Sequence, residues 1–165
     1  MTSRQHPHPT CSRRALIGFG GGLLSAAIVA RPQSAEAADA GRIVQPAKPT
    51  PQAFIKRAFA MRDLAQSDGD QGYGAVVVNA SSHQIVGQSP SRVVTNGDPT
   101  AHAEMEAIRD AARRLGTRDL SGHAMYSSSK PCPMCEAAAY WANLDTLYFG
   151  SGITAGGAPN LCGSS

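Results

Sequence analysis

Residues 73–79 read Tyr-Gly-Ala-Val-Val-Val-Asn, and this short stretch decides the fold class. No polar residue interrupts its apolar ones, so it predicts a β-strand that is buried on both faces. A turn at 80–82 and a second strand at 84–87 predict a β-hairpin. A strand of this kind belongs to a sheet with helices packed on its faces, which is an α/β fold.

Helices and strands alternate on both sides of this hairpin. Apolar residues at three-to-four-residue spacing predict a helix over 52–66. A second helix over 100–115 is predicted to start at Asp98 as N-cap and to bury four residues, Met105, Ile108, Ala112 and Leu115. A strand at 123–127, an alanine-rich helix at 131–143 and a strand at 144–149 complete the predicted order.

The first 37 residues differ in composition from the rest. Ser12-Arg13-Arg14 precedes an apolar run at 15–30, which is shorter than the roughly 20 residues that a membrane-spanning helix needs. Small residues around Ala37 then match a signal-peptidase site. We interpret residues 1–37 as a twin-arginine-type signal peptide, which predicts an exported protein, periplasmic or secreted. An uncleaved membrane anchor is the alternative, but we expect no stable anchor.

Removal of this leader changes the charge of the chain. The whole sequence carries 15 Lys and Arg against 12 Asp and Glu, but residues 38–165 carry 11 of each. A balanced chain lacks the basic surface of a nucleic-acid binder, so we do not expect nucleic acid as a partner. Proline-rich residues 38–51 predict an extended linker, 52–150 the folded domain, and the small, turn-forming residues 151–165 a short flexible tail.

Two short motifs carry the chemistry. Thr100-Ala101-His102-Ala103-Glu104 opens one predicted helix, and Pro131-Cys132-Pro133-Met134-Cys135 opens another. One imidazole and two thiolates suit Zn²⁺ and leave a fourth tetrahedral position for water. Because a helix N-terminus favours thiolates, both cysteines can bind one ion. Glu104 then supplies the carboxylate that moves protons. This motif pair is typical of zinc deaminases that act on nucleobases.

Taken singly, these residues have simpler interpretations. His102 could be an ordinary surface or core histidine, and Glu104 one more solvated helix charge. Cys132 and Cys135 could form a disulfide or a redox pair. A zinc-stabilised module without catalysis is a further alternative. Cys162 has no assigned role.

Residues 53–150 resemble the cytidine deaminase-like superfamily, and within it the guanine deaminase and tRNA adenosine deaminase group. The likeness lies in residues 73–78, 98–104 and 131–135. It implies a three-layer α-β-α fold with a mixed sheet. We expect about four strands and no counterpart of the family's fifth strand after Gly150. The resemblance further implies a homodimer.

The resemblance also implies the role of each site residue. His102, Cys132 and Cys135 would hold zinc, and Glu104 would be the catalytic proton shuttle. Ser91 stands where the group has a loop asparagine that binds the substrate base, and Lys130 stands where these families usually have glutamate.

The implied function is zinc-dependent hydrolytic deamination of a small-molecule nucleobase or nucleoside, guanine deaminase-like. In this reaction zinc-bound hydroxide attacks the amine-bearing ring carbon and ammonia leaves. A catalytically impaired zinc-binding module and a tRNA adenosine deaminase-type enzyme are the alternatives.

Overall fold

The computed structural model describes residues 41–161, so the predicted leader and Cys162 lie outside the described residues. The helices are α1 (Pro51–Ser67), α2 (Val93–Asn96), α3 (Ala103–Leu115) and α4 (Pro133–Trp141). The strands are β1 (Gly74–Asn79), β2 (Ile85–Pro90), β3 (His123–Ser127), β4 (Thr146–Phe149) and β5 (Thr154–Gly157). They form one sheet of order β2-β1-β3-β4-β5, in which β3 and β4 are parallel and the other neighbours antiparallel. None of the helices in the described range is long and apolar enough to cross a bilayer.

Strand β1 separates two hydrophobic cores, which confirms that it is buried on both faces. Ala75 and Val77 belong to the core on the side of α3 and α4, whereas Val76 and Val78 pack with residues of α1. Successive side chains of a strand point to opposite faces, so one apolar run serves both cores. The helices therefore cover the sheet from both sides.

Helix α1 confirms the predicted amphipathic pattern. Its buried residues are Phe54, Ile55, Ala58, Met61 and Ala65. It begins one residue earlier than predicted, at Pro51, because Thr50 is the N-cap residue and its side chain accepts a hydrogen bond from Ala53 N.

The predicted buried face of α3 was wrong. The helix buries Ala103, Glu104, Ala107 and Ala111, whereas Leu115 is 42% exposed. The reason is a close approach of α3 to β2. A Cβ atom on Gly87 would lie 2.6 Å from both Cβ and N of Ala111. Only small residues permit this spacing, so the alanine face turns inward and the larger apolar residues lie beside it.

The prediction of about four strands was also wrong, because the sheet has five. Gly150 and Ile153 have positive φ values of 72° and 53°, and the turn that contains them reverses the chain. The residues Thr154–Gly157 then pair antiparallel with β4 inside the predicted flexible tail. This strand is mostly exposed and has no large apolar side chain, so hydrophobic patterning gave no signal for it.

The described part of the predicted linker contacts the domain. The side chain of Gln45 donates to Ile85 O at 2.7 Å and accepts from Ile85 N at 2.9 Å. Ile43 packs against the core that contains Phe54. These contacts lie along β2, whose outer edge would otherwise leave backbone groups without partners.

Candidate metal centre

Two helix N-termini deliver the predicted metal ligands. His102 is the N-cap residue of α3, and Cys132 is the N-cap residue of α4, with Cys135 one turn further along. Neither cap side chain makes a capping hydrogen bond, so imidazole and thiol remain available for a metal. Helix α3 starts at Ala103, whereas the sequence predicted a start at residue 100. Asp98 instead accepts hydrogen bonds from Thr100 N and Oγ1, both at 2.8 Å, and caps the turn that precedes the extended His102.

The three predicted ligands lie together as a compact triangle. Nδ1 of His102 is 3.7 Å from Sγ of Cys132 and 3.6 Å from Sγ of Cys135. The two sulfur atoms are 3.6 Å apart. This is far longer than the roughly 2.05 Å of a disulfide bond. Within residues 41–161, His102, Cys132 and Cys135 are the group of histidine, cysteine and acidic residues whose ligand atoms lie close enough together to hold one metal ion.

These separations fit a tetrahedral zinc ion. Zn–S and Zn–N bonds of about 2.3 and 2.05 Å place two sulfur ligands about 3.8 Å apart, and a sulfur and a nitrogen about 3.6 Å apart. The observed triangle agrees with both values. Three protein ligands leave one position open, which is the arrangement of a catalytic rather than a structural zinc site.

The electrostatics of Cys135 also favour a cation. Cys135 is 1% exposed. Burial raises the pKa of its thiol, and the neighbouring Glu104 carboxylate raises that pKa further. A thiolate at this position therefore needs a positive charge beside it. Zinc meets this requirement through direct coordination.

Glu104 lies beside the triangle in the first turn of α3. It is 4% exposed, and its Oε2 is 3.6 Å from Sγ of Cys135. The hydroxyl of Ser127, at the end of β3, lies 2.8 Å from Oε1 of Glu104 and also 2.8 Å from the backbone oxygen of Ser129, so the two acceptors share its one hydrogen. One carboxylate oxygen is thus held by Ser127 while the other faces the metal ligands. Sequence reasoning missed Ser127, because its only signal was the position of a serine at the end of a predicted strand.

Two of the three ligands, His102 and Cys132, line an open cleft of about 180 Å³. Its lining consists of Gln71, Tyr73, His102, Glu104, Ser129, Lys130 and Cys132. Tyr73 and Lys130 are exposed at the rim, whereas Glu104 is buried beneath it. A small planar molecule that enters the cleft therefore meets a carboxylate and the metal centre together.

Ser91, the predicted substrate-binding residue, does not line this cleft. It is 1% exposed, and its hydroxyl donates to Oδ1 of Asp70 at 2.8 Å. The side chain thus joins a buried hydrogen-bond network, and this geometry gives no support for a contact with substrate.

Sequence reasoning also missed Asp70, which bonds to the backbone of Gln71, a residue that lines the cleft. Its Oδ2 accepts hydrogen bonds from Val94 N at 3.0 Å and Thr95 N at 2.8 Å, so it caps α2 from a distant loop. Its Oδ1 accepts from Gln71 N at 2.7 Å. Burial alone would raise the pKa of Asp70, but hydrogen bonds from Thr95, Ser91 and Gln71 lower it to about 2.

Known proteins share this motif and fold. The family model for the cytidine and deoxycytidylate deaminase zinc-binding region matches residues 48–151. The guanine deaminase of Bacillus subtilis is 39% identical over 97 residues, which are 58% of this chain and 61% of that protein. The tRNA-specific adenosine deaminase of Aquifex aeolicus is 35% identical over 96 residues, 58% of this chain and 62% of that protein.

A solved structure of the Bacillus subtilis guanine deaminase superimposes with a TM-score of 0.57 at 37% identity, covering 61% of this chain and 63% of that one. The chain thus spans about three fifths of these relatives. The family match over residues 48–151 includes His102, Glu104, Cys132, Cys135 and the strands β1 to β4. We conclude that the chain belongs to the family of the cytidine and deoxycytidylate deaminase zinc-binding region.

Proposed function

We propose that this protein is a zinc-dependent hydrolytic deaminase of a small amino-substituted nucleobase or nucleoside. The observation that carries the proposal is the position of Glu104 beside the ligand triangle. Its Oε2 lies 3.6 Å from Sγ of Cys135, and its Oε1 is held by Ser127. A carboxylate in this place can both take and return a proton next to the metal.

His102, Cys132 and Cys135 would hold the zinc ion, which would lower the pKa of a bound water molecule to about 7. Glu104 Oε2 accepts one proton from the attacking water and passes it to the ring nitrogen. It then accepts the second proton of the same oxygen and passes it to the departing amine. Ser127 keeps the carboxylate from rotating between these transfers. Ammonia leaves, and an oxo group replaces the amine on the ring.

The size of the cleft favours a small substrate. At about 180 Å³ it lies below the roughly 300–1,000 Å³ of sites that enclose a drug-sized ligand, so it accommodates little more than one heterocyclic ring. The balanced charge of residues 38–165 favours the same conclusion over binding of transfer RNA.

From residues 12–37 alone we also propose export by the twin-arginine route, which cell fractionation tests.

The test is ammonia release by the zinc-loaded full chain. The panel contains guanine, adenine, cytosine, cytidine and unmodified transfer RNA. We expect turnover of at least one small molecule, and a loss of about 10²–10⁴-fold in Glu104→Gln with zinc content unchanged. The substitution keeps the shape of the side chain and removes its basic oxygen.

Glu106→Gln is the matched control. Glu106 lies on the same helix turn and pairs with Arg109 instead of the ligands, so this variant should keep wild-type activity. Full activity in Glu104→Gln would contradict the mechanism. Bound zinc without turnover of any compound would favour the non-catalytic zinc module, and turnover of transfer RNA alone would favour the editing enzyme.

A further inference from the structure

The side-chain amide of Gln71 is available to a molecule in the cleft. Gln71 lines the cleft and is exposed, and its amide has no hydrogen-bond partner among residues 41–161. Glu104, by contrast, is already held by Ser127 and is assigned to proton transfer. The amide of Gln71 therefore offers two donor hydrogens and one acceptor oxygen to a ligand.

The backbone that carries this amide is fixed on both sides. Gln71 N donates to Oδ1 of Asp70 at 2.7 Å, and Gln71 O accepts from Tyr73 N at 2.7 Å. Tyr73 O in turn accepts from Ser91 N at 3.0 Å, and Ser91 Oγ donates to the same Asp70 carboxylate. A side chain on a fixed backbone loses less conformational freedom when it binds a ligand.

Recognition of the ring must come from residues that line the cleft, and Ser91 is not among them. In the proposed reaction, Glu104 acts on the amine-bearing carbon and on one ring nitrogen. Another edge of the ring then faces the remaining lining residues, because the cleft accommodates little more than one ring. Tyr73 and Ser129 each bring a single hydroxyl group to this lining, whereas Gln71 brings a donor and an acceptor in one plane.

A planar amide matches a lactam edge, which is a ring N–H beside a ring carbonyl. The amide nitrogen donates to the ring carbonyl, and the amide oxygen accepts from the ring N–H. Both hydrogen bonds lie in one plane, as they do when Asn or Gln binds a base edge in DNA. A hydroxyl group has only one hydrogen and cannot form this parallel pair.

We propose that Gln71 is a specificity-determining residue that binds the lactam edge of the heterocycle while Glu104 acts on the amine-bearing carbon. This inference rests on the proposed deaminase function and adds the group by which the substrate is recognised.

The experiment uses two pairs of compounds that differ in the lactam. Guanine and 2-aminopurine carry the same amine, but 2-aminopurine lacks the ring carbonyl and its neighbouring N–H. Cytosine and 4-aminopyrimidine form the second pair in the same way. For each pair we define the lactam preference as kcat/KM of the first compound divided by kcat/KM of the second. Differences in intrinsic reactivity cancel when this preference is compared between the wild type and a variant.

The variants are Gln71→Met, which keeps the length of the side chain and removes the amide, and Gln71→Glu, which replaces the donor by a second oxygen. The control is Gln52→Met, the same substitution at an exposed glutamine of α1 that does not line the cleft. Zinc content is measured for every sample. The same pairs are titrated by calorimetry into Glu104→Gln and into the double variant with Gln71→Met. These Kd values replace kcat/KM for any compound that is not turned over.

We expect Gln71→Met to lower the lactam preference by about 10- to 100-fold in at least one pair, as the loss of two neutral hydrogen bonds implies. Gln71→Glu should lower it at least as far, because a carboxylate cannot donate to the ring carbonyl. Gln52→Met should leave it unchanged, and zinc content should be equal in all variants. The Kd values should show the same loss of preference in the double variant.

Two results would overturn the inference. One is an equal change for both members of each pair in Gln71→Met, which would make Gln71 a general contributor to the cleft. The other is an unchanged lactam preference in both Gln71 variants. Either result leaves the deaminase function intact wherever a compound is turned over. If no compound is turned over but Glu104→Gln shows a lactam preference in Kd that the double variant loses, the function fails and the role of Gln71 in binding stands.

Discussion

Removal of the Ser127 hydroxyl tests how Glu104 is held. Ser127 is 1% exposed and does not line the cleft, and its hydroxyl lies 2.8 Å from both Glu104 Oε1 and Ser129 O. A hydrogen bond to a charged group contributes about 1.5–3 kcal/mol. If this bond mainly orients the carboxylate in the transition state, Ser127→Ala should lower kcat by about 10- to 100-fold, since 1.36 kcal/mol corresponds to tenfold. KM should change little.

The assay is steady-state kinetics with the best compound of the ammonia-release panel. Zinc content and the thermal midpoint are measured on the same samples. Ser127→Thr and Ser127→Val form the control pair, because they have nearly the same shape and differ in the hydroxyl. We expect the threonine variant to be more active than the valine variant by the same 10- to 100-fold factor. The two variants should bind equal amounts of zinc.

Equal kcat values for the threonine and valine variants would refute the orienting role of the hydroxyl. Loss of zinc in Ser127→Ala would show instead that this residue supports the metal site as a whole. A rise in KM with unchanged kcat would place Ser127 in substrate binding, which its position beneath the cleft argues against.

Two further predictions concern stability. The folded-state pKa of Asp70, about 2, lies below its ordinary value of 3.8. Its ionised carboxylate therefore contributes at most roughly 2 kcal/mol to the free energy of unfolding, and this contribution is present above pH 4 and lost as the pH falls toward 2. Asp70→Asn should therefore lower the free energy of unfolding at pH 7 and flatten its pH dependence between 4 and 2, as urea titrations will measure; an unchanged slope would contradict this. Gly87→Ala should destabilise the fold by about 1–3 kcal/mol, because its Cβ would meet the backbone of α3. Gly152→Ala, with open space around that position, should not, and equal thermal midpoints for the two variants would disprove the close approach.

The residues that could hold a metal were identifiable from the sequence because each motif is local. Cys132 and Cys135 are three residues apart at one helix start, so the helical turn itself brings their sulfur atoms to 3.6 Å. His102 and Glu104 likewise follow from the start of one helix. Only the approach of the two helix ends, about 30 residues apart in the chain, needed a resemblance to supply it.

Ser127 and Asp70 could not be predicted in the same way. Ser127 reaches Glu104 across a sequence separation of 23, and Asp70 reaches Thr95 across 25. Serine and aspartate occur at strand ends and turns for many local reasons, so their long-range partners leave no periodic signal. The buried alanine face of α3 escaped prediction for a related reason. Its inward side is chosen by the distance to Gly87, not by the apolarity of its residues.

The amino-acid sequence by itself determined the α/β class, the two-sided burial of β1 and the residues suited to zinc, because these depend on periodicity and on chemistry within a few neighbours. Only the tertiary structure decided that β5 pairs with β4, that Ser127 holds Glu104, that Ser91 bonds to Asp70, and that Lys130 lies at the rim of the cleft. The physical reason is that these features depend on distances between residues remote in the chain, and such distances are set by packing of the whole sheet and its helices.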